Sequence, residues 1–241
     1  TEADLRDLEG VKKLLAPHFE TYRQEYASYY QMCKKDNSPA MRDPNPVILV
    51  YPGIGLFSFA KNKQMARVAS EFYTNAINVM RGSEVISSYT SLPLQESFDI
   101  EYWLLEEAKL QRMPKEKPLS RKIALVTGAG GGIGKSIAKK LVEEGAVAIL
   151  LDISEENLKE AKKEFNKDNA LSVVCDINNS EAIQNAVEQT CLNFGGIDIV
   201  VHSAGLAISK PLSETTPQDW DILRNILVKG QFELFKQSAA V

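Results

Sequence analysis

Five glycines fall between residues 128 and 134, in the run Thr127-Gly128-Ala129-Gly130-Gly131-Gly132-Ile133-Gly134. Glycine tolerates positive φ and leaves no Cβ between the backbone and a ligand. The apolar segment Ile123–Val126 precedes the run, and an amphipathic stripe follows it. The glycines therefore stand where a strand turns into a helix, and a helix start offers phosphate oxygens unpaired N–H groups and a partial positive charge. The chemistry this run can do is to hold a phosphorylated ligand. Two ligand classes compete. Ala129–Ser136 reads A-G-G-G-I-G-K-S, a relaxed phosphate-loop pattern. It would put Lys135 on the β/γ-phosphates and Ser136 on the magnesium of a nucleoside triphosphate. The strict pattern needs glycine at 129 and finds alanine. Asp152 favours the other class. It ends the next apolar segment, 24 residues after Gly128, where a dinucleotide fold places the acid that binds the adenosine ribose hydroxyls. A carboxylate there repels a 2′-phosphate. No Arg or Lys stands at 153 or 154, or within 129–133, so NAD is expected rather than NADP. The plain alternative for Asp152 is a strand-end turn residue.

The elements that must position these residues follow from periodicity. Ile133, Ile137, Ala138, Leu141 and Val142 make one apolar stripe, with Lys135, Lys139 and Lys140 outward and Gly145 as a helix stop. Val147–Leu151 reads as a second strand, and Ser154 caps a helix with Glu155 and Glu156 in its first turn. Leu171–Cys175 reads as a third strand, Ser180–Phe194 as a helix and Ile197–Val201 as a fourth strand. Thr216-Pro217-Gln218-Asp219 is a capping box opening a last helix toward Val241. Strand and helix alternate throughout, which means parallel βα units. Residues 112–120 hold two prolines and four charges and read as a linker. The domains are thus expected at 1–111 and 121–241, the first reading helix–strand–helix.

These motifs resemble the short-chain dehydrogenase/reductase family. Its T-G-x-x-x-G-I-G is matched by Thr127, Gly128, Gly132, Ile133 and Gly134. Its adenine-facing acid–apolar pair is matched by Asp176-Ile177, and its N-N-A-G stands here as His202-Ser203-Ala204-Gly205. The resemblance implies an NAD site of Gly128, Gly130, Gly131, Gly132, Ile133, Gly134, Asp152, Ile153, Asp176, Ile177, Ser203, Ala204 and Gly205. His202 and Ser203 depart from the pattern; Ser203 still offers a small polar group, and His202 reads as a structural substitute. The family's fifth-helix Asn, aligned on Lys229-Gly230, falls on Leu227, with Asn225 two residues away. The family's catalytic Ser and Tyr-x-x-x-Lys come later in its order. The chain as given is therefore expected to carry no catalytic residue and to be inactive by itself. Tyr30 and Lys34 have the right spacing but precede the glycine turn. With Tyr22, Tyr26 and Tyr29 they read as an aromatic helix face used for packing.

The first half, in Asp43–Pro46, Pro52–Phe59 and Phe98–Ala108, resembles the bifunctional rhamnulose-1-phosphate aldolase/alcohol dehydrogenase family. That resemblance implies a class II aldolase-like domain, here its C-terminal part, ahead of a truncated Rossmann-type doubly wound parallel sheet: an α/β fold. It also implies cleavage of rhamnulose 1-phosphate to dihydroxyacetone phosphate and lactaldehyde, and NAD-linked oxidation of the aldehyde. Against ordinary class II aldolases, Pro52-Gly53-Ile54-Gly55-Leu56 aligns with a segment whose zinc-ligating His falls on Ile54. His18 and His202 are the chain's two histidines, and no metal site is expected. Glu71 and Glu96 read as solvated helix residues. Within the sheet, the strand order is expected as 3-2-1-4, with Ile197–Val201 as an apolar edge prone to strand addition or aggregation.

Composition narrows the classes. Apolar residues are 44%, charged residues 25% and the net charge is −4 with mixed signs, so a nucleic-acid or membrane surface is not expected. No run of 18 apolar residues exists. The acidic N-terminus is no signal peptide, and with no starting Met the chain reads as part of something longer. Cys33, Cys175 and Cys191 are scattered, which suits a reducing cytoplasm. The expected partners are a small aldehyde or alcohol substrate and further copies of the chain.

Overall fold

The computed structural model describes residues 7–241. It divides into two compact units: residues up to 60 with 64–115, and 61–63 with 116–241.

The first unit opens with α1 (Leu8–Cys33), whose N-cap Asp7 side chain accepts the Gly10 N–H. Strands β1 (Ile48–Tyr51) and β2 (Gly55–Ser58) form an antiparallel hairpin. Helices α2 (Lys63–Ile86), α3 (Leu94–Glu101) and α4 (Leu104–Gln111) follow. Helix–strand–helix was thus too simple. Gly53, at φ +80°, and Gly55, at φ +146°, reverse the chain and split the apolar stretch into two strands. The aromatic face of α1 packs as expected. Tyr30 and Cys33 join Phe98 and Tyr102 of the α3 segment in one buried cluster, with Phe98 and Tyr102 stacked at 4.5 Å between centroids. Tyr22 stays exposed.

The second unit is a parallel four-stranded sheet in the order β5-β4-β3-β6, the expected 3-2-1-4 arrangement. Its elements are β3 (Ile123–Thr127), α5 (Gly132–Glu143), β4 (Val147–Asp152), α6 (Glu155–Lys162), β5 (Ala170–Val174), α7 (Ser180–Phe194) and β6 (Ile199–Val201). The strands are near-continuous apolar runs because both faces are covered. Leu125, Ile149 and Leu151 pack with Ile183, Ala186 and Val187 of α7 on one face. Val126, Ala148 and Leu150 pack with Ala138 of α5 and Leu158 of α6 on the other. Ser154 caps α6 and Gly145, at φ +103°, follows α5, both as the sequence predicts.

Every strand differs from expectation at a boundary: β3 and β4 run one residue further, to Thr127 and Asp152, β5 is shifted one residue toward the N-terminus, and β6 starts later. β5 starts at Ala170, one residue early, because Ala148 N–H already donates to Asn169 O. β6 starts at Ile199 rather than Ile197. There Asp198 N–H donates to Ile123 O, while the Ile123 N–H goes to the Asp198 side chain, Oδ2, instead of a backbone carbonyl.

The last helix differs more. The capping box of Thr216 and Asp219 opens α8 (Pro217–Arg224). The chain then makes a π turn over Asn225–Gly230 before α9 (Gln231–Ser238). A π turn inserts one residue and re-phases the helix faces. Leu234 of α9 thereby enters the core, while Trp220 of α8 stays exposed. The turn also brings Gly230 against the strand loops: a Cβ on it would lie 2.9 Å from Ile177 O.

Candidate functional site

The glycine turn lies at the carboxyl end of β3, between β4 on one side and β6 on the other. This is the switch point at which open α/β sheets form a ligand crevice. Gly128 takes φ +65°. A Cβ on it would stand 2.9 Å from both N and Cα of Ala204. Ala129 N–H donates to Leu151 O, and Gly131 N–H donates to Gly128 O. The first intrahelical bond of α5 then runs from Lys135 N–H to Gly131 O. The amides of Gly132, Ile133 and Gly134 precede it and are the helix's unpaired donors. Gly134 packs α5 onto the turn, since a Cβ there would lie 2.3 Å from Gly128 O. A Cβ on Gly132 would meet nothing within 4 Å. The fold itself does not need glycine at 132.

Asp152 is tied to this turn. Its Oδ2 accepts the Gly130 N–H at 3.0 Å and its Oδ1 accepts the Ser154 N–H at 2.9 Å. Each oxygen keeps a lone pair for a ligand hydroxyl. Gly130 has a reason to be glycine: a Cβ would stand 3.0 Å from the Asp152 carboxylate and 2.7 Å from Asn157 Cβ. Asp152 thus closes the strand-end turn and also holds the glycine turn. Ile153, beside it, is exposed. Asp176 Oδ1 accepts the Asn178 N–H, which fixes the loop after β5 and leaves Ile177 buried.

Thr127 is the residue that motif reading undervalued. It is fully buried at the end of an apolar strand. Its Oγ1 accepts the N–H groups of Ser203 at 3.1 Å and Ala204 at 3.0 Å. His202 Nδ1 is a third neighbour at 3.3 Å. Thr127 so clasps the segment 203–205 against Gly128. Its polar side chain on a strand with apolar neighbours was the signal available. Thr127→Val keeps the shape but strands two part-buried amides, at roughly 1–3 kcal/mol each. A denaturation midpoint several degrees lower is expected, restored by Thr127→Ser. At the far side Leu227 approaches Gly205, where a Cβ would lie 3.1 Å from Leu227 Cδ2. The position of the family's Asn is thus occupied by an apolar side chain.

The side chains of the phosphate-loop reading are engaged within the protein. Lys135 Nζ pairs with Glu164 at 2.7 Å, and Ser136 Oγ donates to Gly132 O inside its own helix. The other decoys are structural too. Tyr30 donates to Pro39 O. Burial, with the Glu101 carboxylate beside them, holds the Tyr26 and Tyr29 phenols well above the ordinary tyrosine range. Ile54 sits exposed in the β1–β2 turn, and His18 is exposed on α1. Glu71 and Glu96 are exposed on α2 and α3, as expected. Among the described residues no three His, Cys, Asp or Glu side chains gather to hold a metal.

Sequence comparison agrees with this division. Residues 1–110 match the family described as aldolase class II, second domain, and residues 122–240 match short chain dehydrogenase. The chain thus matches a model of an aldolase class II domain followed by a model of a short-chain dehydrogenase. The dehydrogenase domain shares 28% identity with a crystal structure described as a short-chain dehydrogenase/reductase, glucose/ribitol dehydrogenase, from Brucella melitensis. The TM-score is 0.50, over 52% of each chain. Over 242 residues, 97% of this chain, it is 36% identical to the uncharacterized oxidoreductase YuxG of Bacillus subtilis (strain 168). Over 112 residues, 46% of this chain, it is 37% identical to the uncharacterized oxidoreductase MW2403 of Staphylococcus aureus (strain MW2). The chain spans 35% of the length of the first relative and 48% of the second. No helix among the described residues is long and apolar enough to cross a membrane.

Proposed function

We propose that the dehydrogenase domain binds NAD(H) and serves an oxidoreductase that works on a small aldehyde or alcohol. The observation that carries this reading is the Asp152 carboxylate locked beside the glycine turn by Gly130 and Ser154. The open space over Gly132 at the start of α5 fits a pyrophosphate. Asp152 fits the adenosine ribose hydroxyls, and Ile153, Asp176 and Ile177 fit the adenine. Ser203, Ala204 and Gly205, held by Thr127, line the path toward the nicotinamide. NAD supplies a hydride acceptor; this chain's residues bind it, orient it and exclude a 2′-phosphate. The acid–base pair of the reaction is proposed for the longer protein.

The aldolase class II domain ahead of it suggests that an aldol cleavage supplies the aldehyde. Rhamnulose 1-phosphate is the proposed substrate, L-lactaldehyde the proposed link, and the cytoplasm the proposed setting. We propose self-association as well.

Parallel calorimetric titrations with NAD, NADP and magnesium ATP test the cofactor reading. Selective NAD binding is expected. Lys135→Ala is expected to leave NAD affinity within about twofold, since its ammonium pairs with Glu164 at an exposed site where ion pairs contribute little. Binding of magnesium ATP that depends on Lys135 would overturn the reading.

A further inference from the structure

We propose that His202 is a positioning residue that makes dinucleotide binding by this domain acid-sensitive, acting through the Thr127 hydroxyl. The proposal rests on the dinucleotide reading of the site and concerns its regulation. A hydroxyl has one hydrogen and two lone pairs. Thr127 Oγ1 already accepts two N–H groups, from Ser203 and Ala204. Its own hydrogen is therefore the one that lies between it and His202 Nδ1, 3.3 Å away. His202 Nδ1 is the acceptor, and the ring carries its hydrogen on Nε2. That nitrogen is buried and has no hydrogen-bond partner among the described residues.

Protonation breaks this arrangement at two points. Nδ1 becomes a donor, so three donors face an oxygen with two lone pairs. A positive charge is also created with a buried, unpartnered Nε2–H. The ring's surroundings give it no charged partner. From β3 the neighbouring polar side chain is Thr127, and from its own segment the neighbours are the Ser203 and Ala204 amides. Burial alone lowers the His202 pKa from its ordinary value of 6.5. The sign is then fixed. A depressed histidine favours the clasp when neutral, so the clasp is intact above about pH 6.5 and fails as pH falls through the lower folded value. The segment it releases, Ser203-Ala204-Gly205, is the one packed against Gly128.

The test uses the full chain. NAD affinity is measured by calorimetry from about pH 8 to about pH 5, a range above the ordinary carboxylate pKa of roughly 4. Ser203 and Ala204 amide exchange and the His202 imidazole signal are followed by NMR over the same range, with His18→Gln assigning the other histidine. NAD Kd is expected to rise about tenfold as His202 protonates, the size of one lost hydrogen bond. Exchange at Ser203 and Ala204, corrected for intrinsic rates, is expected to accelerate with the same midpoint. His202→Asn, whose side-chain oxygen still accepts from Thr127, is expected to bind NAD with the acid dependence removed. His202→Phe is expected to bind weakly at every pH. NAD bound equally well at both ends of the range overturns the proposal and leaves the cofactor reading standing. No NAD binding even at the alkaline end overturns both.

Discussion

Gly134→Ala is expected to disable the dinucleotide site and destabilise the domain, while Gly132→Ala leaves the fold intact and weakens only the ligand. Both glycines lie in the first turn of α5, and helix propensity alone favours alanine at each by about 1 kcal/mol. Packing separates them. The new Cβ at 134 would sit 2.3 Å from Gly128 O and 2.7 Å from Gly128 C. Those are backbone atoms, so no rotamer relieves the contact. Either α5 lifts from the turn, or the turn leaves its φ +65° conformation and its fit against Ala204. Overpacking of this kind costs about 1–3 kcal/mol or more. That exceeds the propensity gain and lowers the melting temperature by several degrees in a domain of this size. Displacing the α5 amides by even an ångström removes their aim at a phosphate, and NAD affinity is expected to fall at least a hundredfold. At 132 the Cβ enters open space. Thermal denaturation is expected to be unchanged or slightly raised, with NAD affinity about tenfold weaker as the methyl meets the pyrophosphate. If Gly132→Ala binds NAD as well as the parent chain, the space over the helix start is not where the phosphates lie.

The contrast between these glycines also shows what the sequence discloses and what it hides. The run of five announced a tight strand-to-helix turn, and apolar strands buried on both faces were legible as continuous runs at 123–126 and 147–151, each one residue short of its observed end. The α7 limits were legible too, because Asn179 caps its start and Gly195, at φ +94°, ends it. Four features were not legible, for different reasons. The hairpin after Ile48 lies inside one apolar stretch, where Gly53 and Gly55 flank a motif position and their positive φ leaves no mark in the pattern. At the start of β6 the Asp198 side chain takes the Ile123 N–H in place of a backbone carbonyl, which periodicity does not encode. The π turn at Asn225–Gly230 accompanies a close approach of Gly230 to Ile177, a contact between segments far apart in the chain. The same holds for Thr127, whose partners Ser203 and Ala204 lie 76 and 77 residues away. Local pattern names the elements, whereas tertiary contacts decide how one glycine differs from the next.

Asp152→Ala is expected to weaken NAD binding on the order of a hundredfold and to erase most discrimination against NADP. The carboxylate has two duties, and the substitution separates them by cofactor. Toward the protein it accepts the N–H groups of Gly130 and Ser154, which couples the glycine turn to the start of α6. Losing those bonds loosens the turn for either cofactor. Toward the ligand, on the proposed reading, it would accept from the ribose hydroxyls of NAD, and charge-assisted bonds of that kind contribute roughly 1.5–3 kcal/mol each. With NADP the same carboxylate faces a phosphate. At a partly exposed site two like charges about 4 Å apart repel by a few kcal/mol at most, which corresponds to roughly a hundredfold or more in affinity. Alanine removes that repulsion together with the ribose bonds, so NADP affinity should change little while NAD affinity falls toward it. Asp152→Asn isolates the charge. The amide keeps the shape and one acceptor oxygen, so NAD is expected to lose less than with alanine. The repulsion disappears as completely, and the NAD-to-NADP ratio is expected to collapse in both variants. Parallel titration of the parent chain and the two variants with both cofactors reads this directly. An unchanged ratio in Asp152→Asn would mean that something other than this carboxylate selects the cofactor. The best remaining candidate would then be the absence of any basic side chain at 129–133, 153 and 154, where a 2′-phosphate would need one.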